Sequence, residues 1–198
     1  MDNNKVKKII LASQSPRRRQ LLQWAEIPFE IIVAPVKETY PPGLSPPEIA
    51  GFIARNKARA SKDLIIRQRK EFIDFPILAA DTIVVSGNKI IGKPGNRDEA
   101  IKTLHALSGK SHSVITGVCI LKGANEIIFS DETNVQFHQL KEEQIEYYVD
   151  NYQPYDKAGA YAIQEWIGVI GIGSIKGDFY NVMGLPVSRV LKELQALG

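Results

Sequence analysis

Two serines, a proline and three arginines stand together in the stretch SQSPRRR (residues 13–19), directly after an apolar run. Ser15 is a favourable N-cap residue and Pro16 suits the first position of a helix, so a helix is predicted to begin here. Free N–H groups and a partial positive charge make such a helix start an anion site. The sequence therefore predicts phosphate binding by Ser13, Ser15, Arg17 and Arg18. A capped helix with solvated arginines is the alternative.

A carboxylate interrupts the apolar run ILAADTIVV (residues 77–85) at Asp81. Burying a charge is costly unless it is paired or bound to a metal, and apolar residues resume immediately after it. Asp81 is therefore a candidate general base or Mg²⁺ ligand, since Mg²⁺ is held by one or two carboxylates together with substrate phosphates. The alternative is an aspartate that ends the strand in a turn.

Four other polar residues carry no local signal of their own. Lys57 lies in a predicted helix, Lys93 precedes a proline after a glycine, and Glu38 lies in a loop. Gln164 follows a run of small residues, and its amide offers both a donor and an acceptor with which to read a base edge. Each has an ordinary structural interpretation when it is taken alone.

The composition limits the class of protein. The chain has 198 residues, 44% of them hydrophobic, with a formal net charge of +3. That length fits one domain, and a charge this small argues against nucleic-acid binding. A single cysteine, Cys119, excludes an internal disulfide and a cysteine-cluster metal site. No run approaches the roughly 20 apolar residues of a membrane span, so we expect no membrane partner and a cytoplasmic location.

Helices and strands alternate early in the sequence, and antiparallel strands dominate its middle, which predicts a mixed-sheet α/β protein. Strands are predicted over 6–12, 29–33, 77–85, 89–91, 111–121 and 126–137, with short strands in the glycine-rich stretch 156–181. Helices are predicted from Ser15 to Trp24, from about Pro46 to 65–69, and over 97–107, 142–151 and 185–197. The second helix has a capping box, Ser45 with Glu48.

Short motifs follow one another along nearly the whole chain: S-x-S-P-R-R (13–18), Glu38, N-K-A (56–58), A-D-T (80–82), K-P (93–94), L-S-G (107–109), D-K-A-G-A-Y-x-I-Q (156–164) and N-V-x-G-L-P (181–186). Together, and in this order, they resemble the Maf family of nucleoside triphosphate pyrophosphatases. The family has two main branches. With Arg17 after Ser-Pro and Thr82 after Asp81, the chain resembles the branch that acts on dTTP, UTP and modified pyrimidine nucleotides. Glu165, which follows Gln164, is an unfamiliar neighbour for this motif.

The resemblance implies a fold and a reaction. The fold would be a single domain, residues 1–198, with an elongated mixed β-sheet, flanking helices and two lobes around a central cleft, as in inosine triphosphatases, often in a homodimer. The reaction would release pyrophosphate from a nucleoside triphosphate. Asp81 would activate water, and Glu38 with Asp81 would hold Mg²⁺ or Mn²⁺. The substrate would be bound by Ser13, Ser15, Arg17, Arg18, Lys57, Thr82, Lys93 and Gln164.

A second hypothesis is a nucleotide-binding regulator of cell division or septum formation that has no turnover. It would need no general base, so the presence of Asp81 and of both lysines favours the enzyme. A third, nucleic-acid binding through residues 17–19, predicts steep salt dependence of binding, and the small net charge argues against it.

Overall fold

The computed structural model describes residues 7–197. The predicted first strand begins at Val6, which lies outside the described residues. The strands are β1 (Ile9–Leu11), β2 (Phe29–Ile31), β3 (Ile77–Ser86), β4 (Lys89–Ile91), β5 (Ser111–Lys122), β6 (Asn125–Phe137) and β7 (Ile172–Lys176). The helices are α1 (Pro16–Trp24), α2 (Pro46–Gln68), α3 (Arg97–Leu107), α4 (Glu142–Tyr152), α5 (Trp166–Gly171), α6 (Phe179–Met183) and α7 (Val187–Ala196). In the described part of the chain, no helix is long and apolar enough to cross a membrane.

All of these strands belong to one mixed sheet. Its order is β2-β1-β3-β5-β6-β7, and β4 pairs with β3. Strand β1 runs parallel to both β2 and β3, whereas β3–β4 and β6–β7 are antiparallel. A tight turn joins β3 to β4, with Gly87 at a φ of 58°, a conformation that favours glycine. The mixed α/β class with flanking helices is confirmed.

The chain divides into two compact units. The first contains the residues up to Asp81, Thr116–Asp131 and the residues from Gly184 onwards; the second contains Thr82–Ile115 and Glu132–Met183. The boundaries fall inside strands β3, β5 and β6. Asp81 therefore belongs to the first unit, and the next residue, Thr82, to the second.

In the first unit, α2 packs on strands β1, β3 and β5. Ser45 and Glu48 form the predicted capping box at its start. Ala54 and Ala58 of α2 lie in the same buried apolar cluster as Ala79 of β3 and Cys119 of β5. Small side chains at these positions allow helix and sheet to approach closely. Because alternate strand residues point to the same face, Asp81 shares a face of β3 with Ala79, the face towards α2.

The glycine-rich stretch 156–181, for which short strands were predicted, contains more helix than strand. The segment contains one strand, β7, together with 3₁₀ turns at Pro154–Asp156 and Ala158–Ala160 and the short helices α5 and α6. Helix α5 forms because the N–H groups of Gly168 and Val169 both donate to the carbonyl of Glu165. A Cβ at position 168 would stand 1.8 Å from the Ile163 carbonyl oxygen, so only glycine fits that turn.

In the second unit, His112 is buried beside aromatic rings. Its Nε2 lies 2.7 Å from the Tyr161 hydroxyl, and its ring meets those of Phe137 and Tyr161 edge to face. Its Nδ1 is buried and has no hydrogen-bond partner among the described residues. Loss of solvation lowers the pKa of His112 from 6.5 to about 4, so the imidazole is neutral in the folded protein at neutral pH.

We expect this histidine to make stability depend on pH. Between pH 6.5 and about 4 the unfolded chain protonates His112 and the folded chain does not, so stability falls as the pH falls. The contribution lost is about 3 kcal/mol, from a shift of about 2.5 units at 1.36 kcal/mol each. Urea unfolding of wild type and His112→Gln across this range should show the difference in free energy between them shrinking as pH falls. A constant difference would contradict the assignment.

Candidate active site

The start of α1 is built as the sequence predicts. Ser15 is the N-cap, and its Oγ accepts a hydrogen bond from the Arg18 backbone N–H at 3.5 Å. Pro16 follows at a position where no N–H is needed. Ser13 is buried, and its Oγ accepts from the Ser15 N–H at 3.3 Å. The two hydroxyls are thus held at the turn between β1 and α1.

Arg18 is buried rather than solvated. Its Nε donates to the Gly184 carbonyl at 2.8 Å, and its Nη1 donates to the Ser13 Oγ at 3.0 Å. Loss of solvation lowers the pKa of Arg18 to about 10, and the positive charge of Arg17 also lowers this pKa to a smaller extent. The negative charges of Asp81 and Glu38 act in the opposite direction and raise it. The guanidinium remains charged at neutral pH, and its charge is felt by both carboxylates.

The ammonium nitrogen of Lys57 contacts both candidate carboxylates, Glu38 and Asp81. The Lys57 Nζ lies 2.6 Å from the Asp81 Oδ1 and 2.6 Å from the Glu38 Oε1. Asp81 is buried, its side chain 11% exposed, whereas the side chain of Glu38 is 47% exposed. The buried carboxylate is therefore compensated by an ammonium, which is the condition under which burial of a charge is tolerated.

Glu38 and Asp81 suit a divalent cation. The two oxygens that contact Lys57 are no more than twice 2.6 Å apart. An Mg²⁺ ion about 2.1 Å from each would need them within about 4.2 Å, which is about 1 Å less than that upper limit. Within residues 7–197 no three His, Cys, Asp or Glu side chains are grouped to hold a metal by themselves. Two carboxylates with room for substrate oxygens are the donor set that Mg²⁺ commonly uses.

The other candidates belong to the second unit. Lys93 is exposed and follows Gly92, whose carbonyl accepts from the Gly159 N–H at 3.2 Å. The Val84 methyl groups lie 3.1 and 3.3 Å from where a Cβ of Gly159 would stand, and Val84 shares a strand face with Thr82. The segments that carry Thr82, Lys93 and the 156–164 motif thus pack together. Gln164 has a buried Oε1 without a hydrogen-bond partner in the described chain.

Sequence reasoning missed a polar network around Gln164. Lys157 is buried, with its Nζ 2.8 Å from Asp156 and 3.5 Å from Glu165. Glu165 also accepts from the Tyr148 hydroxyl, which in turn accepts from the Ala162 N–H at 3.2 Å. The only sequence signal was opposite charge at Lys157 and Glu165 in an otherwise small and apolar stretch. The network fixes the backbone on both sides of Gln164.

The residues described above all lie in the part of the chain that matches a known protein family. A family model described as Maf-like protein matches residues 8–197. The chain belongs to the Maf-like family. The match includes the Ser13–Arg18 turn, Glu38, Lys57, Asp81 and the segments around Lys93 and Gln164.

Relatives in this family are similar over most of their length. The chain is 48% identical over 196 residues to a dTTP/UTP pyrophosphatase of Parabacteroides distasonis, and the aligned region covers 98% of each protein. It is 50% identical over 189 residues to a dTTP/UTP pyrophosphatase of Cytophaga hutchinsonii, or 96% of this chain and 84% of that one. A solved structure, the Staphylococcus aureus Ham1 protein, matches 66% of this chain and 72% of its own at 14% identity and a TM-score of 0.43, too low to establish a shared fold.

Proposed function

We propose that this Maf-like protein is a nucleoside triphosphate pyrophosphatase whose substrates are dTTP and UTP, and which also takes modified pyrimidine nucleotides. The observation that carries the proposal is the contact of Lys57 with both Glu38 and Asp81 at 2.6 Å, beside the charge of Arg18. A buried acid surrounded by cations suits a polyanionic substrate attacked by water. The relatives named dTTP/UTP pyrophosphatase, similar over 84–98% of their length, support the same reaction.

Phosphate binding is assigned to the basic residues and to the α1 turn. A triphosphate carries four negative charges, which Arg17, Arg18, Lys57 and Lys93 would neutralise. Arg18 is already oriented by its bonds to Ser13 and Gly184, so little side-chain entropy is lost when it meets a phosphate. The hydroxyls of Ser13 and Ser15 can donate to phosphate oxygens while their lone pairs accept from the protein.

Asp81 is assigned as the general base. Water adds to the α-phosphorus, its proton passes to a carboxylate oxygen of Asp81, and pyrophosphate leaves with the bridging oxygen. Glu38 and Asp81 are the residues that would hold Mg²⁺ or Mn²⁺, which when bound would polarise the phosphate oxygens. Without substrate, the Lys57 ammonium compensates the charge of Asp81 at 2.6 Å.

Base recognition is assigned to Gln164, Thr82 and Arg17. The unpartnered Oε1 of Gln164 can accept an N–H donor. Uracil and thymine present an N–H beside a carbonyl oxygen on their pairing edge. The base N–H can donate to the amide oxygen of Gln164, and the base carbonyl can accept from its amide N–H. The network of Lys157, Glu165 and Tyr148 keeps this segment in place before substrate binds.

In the cell this reaction would remove unwanted pyrimidine nucleotides from the cytoplasmic pool and so keep them out of RNA and DNA. The deciding experiment is a panel of canonical and modified triphosphates incubated with the protein and Mg²⁺, with every product identified. We expect the monophosphate and pyrophosphate, fastest from dTTP and UTP. Release of orthophosphate, or tight binding without hydrolysis as the division-regulator hypothesis requires, would refute the proposal.

Arg18→Ala should lower both activity and stability. Loss of a charged hydrogen bond to phosphate should lower kcat/KM. The corresponding loss of transition-state stabilisation is about 1.5–3 kcal/mol. Loss of the bonds to Gly184 and Ser13 should lower the free energy of unfolding by about 1–3 kcal/mol. Arg19→Ala, one residue further along α1, is the control and should change neither quantity much. If Arg18→Ala shifts the urea midpoint and leaves kcat/KM of the folded enzyme unchanged, Arg18 is structural only.

A further inference from the structure

Lys57 contacts the same two oxygens that a divalent cation would need. Its Nζ is 2.6 Å from the Glu38 Oε1 and 2.6 Å from the Asp81 Oδ1. An ammonium and Mg²⁺ cannot both lie between one pair of oxygens, because each needs contact distance and the two cations repel. We infer that Lys57 closes these carboxylates to free divalent cations, so that the cation enters only together with a nucleotide. The inference rests on the proposed function, which makes Glu38 and Asp81 the cation ligands.

The local balance of charge favours this order of binding. Arg17, Arg18 and Lys57 oppose Glu38 and Asp81, so the group already has one excess positive charge. A free divalent cation would add two more in a partly buried site, where Coulomb repulsion is strong. A triphosphate reverses the sign of that excess. It also offers Lys57 new oxygen partners in place of the two carboxylates.

The residues that must move are able to do so. Lysine carries a compact charge on a flexible four-carbon stem, so Nζ can exchange a carboxylate for a phosphate oxygen. Glu38 lies in a stretch with neither helix nor strand, and its side chain is half exposed. Asp81, in contrast, is fixed on β3. The exchange therefore needs only Lys57 and Glu38 to shift.

The test measures binding of Mn²⁺ to the full-length protein without nucleotide, followed by the electron paramagnetic resonance signal of the free ion. Lys57→Gln should bind Mn²⁺ at least about tenfold more tightly than wild type, a gain of about 1.4 kcal/mol. Lys57→Arg keeps the charge and should remain weak like wild type. Lys62→Gln removes one positive charge from the same helix, where Nζ binds the Gly123 carbonyl, and should also remain weak.

Two further measurements test where Mn²⁺ binds and guard against misfolding of the Lys57→Gln variant. Adding Asp81→Asn to Lys57→Gln should abolish the gain in Mn²⁺ affinity, because one of the two carboxylates is then absent. If Lys57→Gln does not fold, wild type still gives an answer. Its thermal midpoint should be unaffected by Mn²⁺ alone and should rise when Mn²⁺ is added with a dTTP analogue that has a non-hydrolysable α–β bridge.

Two results would overturn the inference: tight Mn²⁺ binding by wild type without nucleotide, or no gain of affinity in folded Lys57→Gln. Neither depends on turnover. A protein that releases no pyrophosphate from any triphosphate refutes the proposed function, whereas its Mn²⁺ titrations still decide the role of Lys57. The two failures are therefore distinguishable.

Discussion

Asp81→Asn should reduce pyrophosphate release by about 10²–10⁴-fold, the usual contribution of a positioned general base. Asparagine has the shape of aspartate, and its amide oxygen can still accept from the Lys57 Nζ, which lies 2.6 Å from the Asp81 Oδ1. It cannot take a proton from water, and it gives a cation one fewer anionic ligand. The upper end of the range is expected because both functions are lost together. Pyrophosphate release from dTTP, measured with Mg²⁺ at saturating substrate, gives the value directly.

The matched control is Asp63→Asn on helix α2. Asp63 is exposed, so the substitution removes the same charge without touching the carboxylates at Lys57. It should leave kcat close to that of wild type and the free energy of unfolding within about 0.5 kcal/mol, as is usual for surface substitutions. Circular dichroism and urea unfolding of both variants would show that the fold is retained. If Asp81→Asn keeps more than a tenth of wild-type activity while folded, Asp81 is not the base.

Local signals in the sequence predicted the elements that carry the site. Ser15 followed by Pro16 placed the start of α1, and Ser45 with Glu48 placed the start of α2, because caps depend on neighbouring residues alone. The apolar run around Asp81 likewise placed β3. Such signals act over three or four residues, which a single sequence displays.

Contacts between distant residues could not be predicted in this way. Arg18 donates to Gly184, 166 residues further along the chain, and no local pattern around either residue indicates the other. Lys57 reaches Asp81 across 24 residues, and on its own it resembles any solvated helical lysine. The family resemblance brought Lys57, Glu38 and Asp81 together as candidates, but it did not show that Lys57 bridges the other two. That relationship comes from the packing of α2 on β3.

The segment 156–181 shows a different limit. Its aromatic and β-branched residues favour strands by propensity, yet residues 166–171 form helix α5. Two N–H groups share the Glu165 carbonyl there, and the side chain of Glu165 is held by Lys157 and Tyr148. Tertiary hydrogen bonds therefore override the local preference. The same bonds surround Gln164, so the helix that the sequence did not predict lies directly after a proposed base-binding residue.

The approach of α2 to the sheet depends on Gly117 of β5. A Cβ at this position would lie 2.2 Å from the Ala50 carbonyl carbon and 2.3 Å from the Gly51 nitrogen, both backbone atoms of α2. No rotation of a side chain can relieve contacts this short, so the helix itself must move. Because α2 carries Lys57, that movement would also displace the ammonium from Asp81.

Gly117→Ala should therefore lower the free energy of unfolding by about 3 kcal/mol, the upper end for overpacking of a core. It should also lower kcat/KM by up to about 10²-fold, since a displacement near 1 Å of a positioning group can cost that much. Gly92→Ala is the control for stability, because nothing lies within 4 Å of a Cβ built there. Urea unfolding and dTTP hydrolysis of the two variants give both quantities. A Gly117→Ala protein as stable as Gly92→Ala would mean that α2 is not held against β5 by this contact, and that the position of Lys57 is set by its ion pairs alone.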